Sequence, residues 1–276
     1  MRRTAIAIAV LAASSVACGN PTGTLVPPDA AEMVLLLILD PDEVSQPLLV
    51  TPVTTGGDVD GLTGTVMFGE TVVATTSAPD PWDNDQLVAC QARYHSIVGT
   101  GGRPRCLDFA FLPVPGATYT LRVDAAGRPT ATATTTVPGD FIIESVSAQG
   151  DPPGTDGLSA TWTSSTGAFR YLVGLRAERP PWCPSTDPTC YLSPDREGWT
   201  VITQDPSVST RVDGEGADEL AGAQGPWYLD VYALDVALYQ YLTTGVADTY
   251  FPLQPVQNVT GGYGVFGSWV RRTWAF

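Results

Sequence analysis

The sequence of 276 residues contains no lysine and one histidine, His95. Without lysine there is no Schiff-base chemistry, no pyridoxal anchor and no Walker-type phosphate loop. A single histidine excludes every two-histidine metal motif. A Ser-His-Asp hydrolase would have to use His95, yet no Gly-x-Ser-x-Gly elbow is present. Basic residues are scarce too, at 14 against 29 Asp and Glu. Nucleic acid is therefore a poor partner, since binding it requires Lys and Arg to neutralise phosphates. Long apolar runs are also missing. The longest near the start, Thr4–Ala13, is about half of what a membrane-spanning helix needs.

That short run has a purpose. Arg2 and Arg3, the apolar stretch, and Ser15-Val16-Ala17 ahead of Cys18 form the three regions of a secretory signal over residues 1–17. A cysteine directly after such a site suggests a bacterial lipoprotein, with Cys18 as the acylated first residue. Ser15 stands where the usual lipoprotein box has Leu, and it suits ordinary cleavage after Ala17 equally well. Residues 18–31, rich in Pro, Gly and Thr, then read as a flexible tether. Loss of Arg2 and Arg3 leaves the mature chain at a net charge of −17.

Five cysteines make an odd count. With Cys18 carrying lipid, Cys90, Cys106, Cys183 and Cys190 remain to form disulfides in an oxidising compartment. Cys90–Cys106 and Cys183–Cys190 are the near-neighbour pairings among three connectivities. A four-cysteine zinc site competes less well, because neither spacing resembles CxxC.

Past the tether the chain reads as strands. Met33–Leu39 (MVLLLIL) is a short buried strand ending at Asp40-Pro41. Leu48–Val53, Leu62–Phe68, Thr71–Thr76, Leu107–Leu112, Tyr119–Val123 and Thr130–Val137 follow as β-forming segments divided by turn signals. The pattern restarts after Pro138-Gly139-Asp140 with Phe141–Val146, Gly157–Thr163, Phe169–Leu175 and Trp227–Ala233. Asp235 is placed to cap a short helix through Tyr241. A final strand runs to Phe276. The expected fold is all-β, with two consecutive Ig/fibronectin-III-like β-sandwich domains, residues 32–138 and 139–276, and one short helix near the C-terminus.

The stretch Phe141–Asp235 resembles a fibronectin type III sandwich in its Trp162 strand, its Tyr171 strand and its alternating Trp227–Ala233 strand. A wider resemblance covers almost the whole mature chain. PGATYTLRVDAAGR followed by TTTVP, the LYQYL helix and the terminal NVTGGYGVFG resemble the bacterial envelope lipoproteins of domain-of-unknown-function family 4249. That resemblance implies a non-catalytic protein anchored by its N-terminal lipid in the outer membrane of the cell envelope. There it would be an accessory or ligand-binding partner of a TonB-dependent receptor. An extracellular hydrolase and a purely structural, adhesive surface protein are the alternatives.

Two local patches are candidate sites. Arg93, His95, Arg103 and Arg105 lie between Cys90 and Cys106 with no acidic residue among them, a pattern suited to a carboxylate or phosphate. The same arginines can instead pair with acidic loops of this protein. Asp80, Asp83 and Asp85 gather hard oxygen ligands for calcium, although Asp and Asn are also ordinary turn residues. No other cofactor is indicated. Mass spectrometry of protein from the membrane fraction is expected to find a mature chain beginning at acylated Cys18; an unmodified N-terminus in the soluble fraction would remove the anchor.

Overall fold

The strand Met33–Leu39 has no polar residue on either face, and in the fold neither face is left to water. The computed structural model describes residues 33–52, 59–78, 90, 104–179, 199–213, 220, 224–243 and 258–276. In the first half the strands are β1 (Met33–Leu39), β2 (Ser45–Pro52), β3 (Thr63–Phe68), β4 (Thr71–Ser77), β5 (Arg105–Ala110), β6 (Thr118–Asp124) and β7 (Ala131–Thr136). The second half supplies β8 (Ile143–Gln149), β9 (Gly157–Trp162), β10 (Arg170–Arg179), β11 (Trp199–Thr203), β12 (Ser207–Thr210) and β13 (Gln224–Leu234). A helix α1 (Val236–Thr243) and strands β14 (Val259–Thr260) and β15 (Tyr263–Ala275) complete the described chain. The all-β reading with one short helix near the end holds for the described residues.

Three sheets form. One has seven strands in the order β11-β10-β13-β15-β1-β2-β5; the others are β14-β7-β6-β3-β4 and β12-β9-β8. The five-stranded sheet covers the β1-β2-β5 end of the large sheet, where Gly64 of β3 lies against Phe109 and Leu107 of β5. The three-stranded sheet covers the other end, where Trp162 of β9 meets Tyr171 of β10 edge-on at 5.3 Å. Two sandwiches are thus built on one shared sheet. The boundary read from sequence near residue 138 falls between β7 and β8, but the sheet crosses it: β15 pairs in parallel with β1, Val34 opposite Tyr263 through Leu39 opposite Ser268. Farther along, β15 pairs antiparallel with β13.

This sharing explains the unpatterned β1. Leu35, Leu37 and Leu39 enter the core common to both sandwiches. Leu36 and Ile38 face the other way, into a second cluster with Leu49, Tyr232, Trp269, Leu238 of α1 and the Cys90–Cys106 disulfide. A strand buried on both faces reads as a continuous apolar run instead of an alternating one. The outer strands alternate as expected; in β6 Tyr119, Leu121 and Val123 are buried while Thr118 and Arg122 are exposed.

Each half also contains the same local device. The Tyr119 hydroxyl accepts the Val114 N–H at 2.9 Å, and the Tyr171 hydroxyl accepts the Ser165 N–H at 2.8 Å. A tyrosine ring in the core thereby fixes the loop that precedes its strand, which satisfies its polar tip.

Sequence reasoning missed β11, which begins at Trp199, and β12. Both strands are short and half exposed, so burial imposes little pattern on them. The glycines of NVTGGYGVFG serve as turn and as strand. Gly261 has φ +77° between β14 and β15, and Gly264 has φ +105° inside β15. A Cβ at Gly264 would collide with the Leu35 carbonyl. Gly264→Ala is therefore expected to cost more than about 2 kcal/mol, from backbone strain and loss of the β1–β15 contact. Urea denaturation measures it, and a near-neutral result would refute this account of β15.

Candidate functional site

Buried polar side chains are uncommon unless they are hydrogen-bonded, so their positions mark where the fold has built something specific. Three of them, Thr135, Asp235 and Ser268, meet at the seam between the two sandwiches. Asp235 follows β13 and precedes α1. Its Oδ1 accepts the Leu238 N–H at 2.7 Å, and its carbonyl accepts the Tyr239 N–H at 3.1 Å, so it is the N-cap expected from sequence. Its other carboxylate oxygen accepts the hydroxyl of Thr135, which belongs to β7 in the first sandwich. Thr135 Oγ1 is 3.1 Å from Ser268 Oγ on β15, and Ser268 in turn donates to the Thr136 carbonyl at 3.1 Å.

Asn258 closes the cluster. Its Oδ1 accepts the Phe266 N–H at 3.0 Å, and its Nδ2 donates to the Phe266 carbonyl at 2.5 Å and the Thr134 carbonyl at 3.3 Å. The amide of this Asn-Val-Thr sequon is therefore spent on tying β15 to β7. Above these residues lies an open groove of about 430 Å³, lined by Thr134–Thr136, Phe169, Asp235, Val236 and Asn258 among others. Phe169 forms one wall, with the Arg170 guanidinium 4.5 Å from its ring centre and Tyr239 packed 5.1 Å away.

Burial pushes the Asp235 carboxyl above the ordinary carboxylate range, against hydrogen bonds from Thr135, Leu238 and Ser268 that favour its charge. A second buried carboxylate, Asp230 on β13, has no exposed surface; it accepts Arg176 Nε at 2.5 Å and the Thr273 hydroxyl. Asp40, also buried, accepts the Asp42 N–H at 2.9 Å. Asp235 and Asp230 each hold separate segments of chain together, and Asp40 fixes its own turn. No histidine stands beside them among the described residues, and the hydroxyls that do, Thr135 and Thr273, donate to them.

The residues singled out from sequence are divided by the structure. Cys90 and Cys106 form a disulfide, and both are buried. Arg105 is buried at the start of β5, with one guanidinium nitrogen 3.6 Å from the Asp60 carboxylate. Cys18, Asp80, Asp83, Asp85, Arg93, His95, Arg103, Cys183 and Cys190 lie outside the described residues. Among the described residues no group of three or more His, Cys, Asp and Glu could hold a metal ion. No helix among them is long and apolar enough to cross a membrane. The seam cluster was not foreseen. Asp235 was read as a cap, but nothing in the sequence connects it with Thr135, 100 residues earlier.

Comparison with known proteins adds a family and little else. The family model described as "Domain of unknown function (DUF4249)" matches residues 74–273. No curated protein sequence matches the chain. Among solved structures, a two-domain fibronectin type III segment of chicken tenascin is similar at 10% identity, covering 74% of this chain and 91% of that one. Its TM-score is 0.21, so the architecture rests on this chain's own strands.

The raised Asp235 sets a testable pH dependence. Between its unfolded value near 3.9 and the higher folded one, the native state binds more protons than the unfolded state, so stability falls as pH rises through that window. Asp235→Asn keeps an oxygen for the cap and removes the titration. Urea denaturation from pH 4 upward is expected to show a shallower decline for the variant, and an identical slope would show that Asp235 contributes none of it.

Proposed function

The chain belongs to the DUF4249 family, and on that footing we propose that it is a non-catalytic, lipid-anchored envelope protein that binds. Its role is that of an accessory or ligand-binding partner of an outer-membrane TonB-dependent transport system. The observation that carries this reading is how the buried carboxylates are used. Asp235, Asp230 and Asp40 are held in caps, ion pairs and turns, whereas catalytic acids and bases need a carboxylate free to meet a substrate. The groove at the seam supports binding as well: about 430 Å³ lies within the range of small-molecule sites, and such sites favour junctions between folding units.

Anchoring at Cys18 accounts for the signal-like start, for the tether, and for the odd cysteine. Tagged full-length protein, gently solubilised from membranes, is expected to co-purify with a TonB-dependent receptor. If it emerges alone under conditions that keep receptor complexes intact, the transport role fails. Hydrolysis of any envelope polymer by the purified protein would overturn the non-catalytic reading.

A further inference from the structure

Exposed apolar side chains that stand singly need no explanation, but several together mark an interaction surface. Such a group lies at one pole of the first sandwich. Val44 is 60% exposed, Phe68 52%, Leu112 56% and Val114 58%. They are connected through an aromatic base. The Tyr119 ring lies 5.8 Å from Phe68 and 5.6 Å from Phe111, its hydroxyl holds the Val114 N–H, and the Phe111 N–H donates to the Val44 carbonyl at 3.0 Å. A hollow of about 610 Å³ opens between Phe68 and the Pro115–Thr118 loop.

The geometry points to this pole as a docking surface for a partner protein whose own contact is apolar at its centre and ringed by Lys or Arg. The inference rests on the reading that the protein works by binding a partner, and it adds which surface does so and what chemistry it meets. The charge argument is local. Glu43 adjoins Val44, Glu70 follows the Phe68-Gly69 turn, and Asp108 lies on β5 opposite Pro47; all three are exposed. Glu43 and Glu70 have no ion-pair partner among the described residues. Arg272 reaches this rim, but it is neutralised between Asp42 at 3.2 Å and Asp140 at 2.5 Å. An apolar centre with an acidic rim has the anatomy of a protein interface, the centre supplying affinity and the rim steering and selecting a basic partner. The acidic rim also disfavours an anionic lipid surface.

Orientation agrees with this assignment. β1 runs from Met33 to Leu39, and the pairing of β1 with β2 and of β2 with β5 places Leu112 beyond the Leu39 end. Phe68 and Tyr119 pair at that same end of the five-stranded sheet. The described chain begins at the other end, at Met33. The apolar pole is thus at the end of β1 away from where the described chain begins.

The test uses full-length protein in its own membranes, with a photo-cross-linking amino acid at position 112 and, as control, at exposed position 147 on β8. A discrete adduct with another envelope protein is expected from 112 and not from 147. Val114→Asp and Phe68→Asp should each lower its yield by about tenfold, and Glu70→Lys should lower it and weaken its salt dependence. Circular dichroism and thermal unfolding check that the variants fold, as their exposure predicts. No adduct, an adduct indifferent to both aspartates, or an adduct with a second copy of this chain would each overturn the proposal. So would flotation of the wild type, but not of Val114→Asp, with neutral phosphatidylcholine vesicles. The two readings fail separately. Receptor co-purification that persists in Val114→Asp removes this surface, whereas a cross-link to a protein other than a receptor removes the transport role and leaves the surface standing.

Discussion

The parallel ladder between β1 and β15 is the contact on which the rest of the structure depends. It joins residues 34–39 to 263–268, nearly the first and last of the described chain, so everything between them is the crossover connection that a parallel pair requires. Closing so long a loop is costly in chain entropy, although the cost rises only slowly with length. The return is a strand with both faces buried. Leu35, Leu37 and Leu39 join the common core and Leu36 and Ile38 the second cluster, each side chain contributing roughly 2 kcal/mol of burial. Remove this ladder and the large sheet divides into two parts, each with a bare edge.

Polar chemistry then fixes how the halves meet. Apolar packing is tolerant of small slips, whereas hydrogen bonds inside a low-dielectric seam have a narrow range of geometry. Asp235, Thr135, Ser268 and Asn258 bring β7, β15 and the start of α1 to one point. The helix begins where the sandwiches touch, because the residue that caps it is also the residue that the first sandwich grips. A fixed seam keeps the groove above it in one shape, which is the preorganisation that a binding site needs.

The outer surface is shaped by what the core did not use. Acidic residues outnumber basic ones 29 to 14 over the sequence, while Val44, Phe68, Leu112 and Val114 at one pole stay out of the core. Retaining them there has a cost in solubility that only a partner would offset. Seam groove and apolar pole are distinct features, one between the sandwiches beside Asp235, the other at a single end.

Much of the fold was legible because burial writes a period into a strand. β6 and β9 alternate on paper as they do in the sheets, and Asp235 announces α1 by the ordinary chemistry of a cap. MVLLLIL was readable as buried. β11 and β12 were not, since a half-exposed strand is under no such constraint. Nor could the sequence pair β1 with β15, link Thr135 to Asp235, or gather Val44, Phe68 and Leu112 at one pole. By itself the sequence determined most of the strands and which face of each is apolar. The tertiary structure alone decided which strands are neighbours and which polar groups meet, because alternation specifies the faces of a strand and carries no information about its edges.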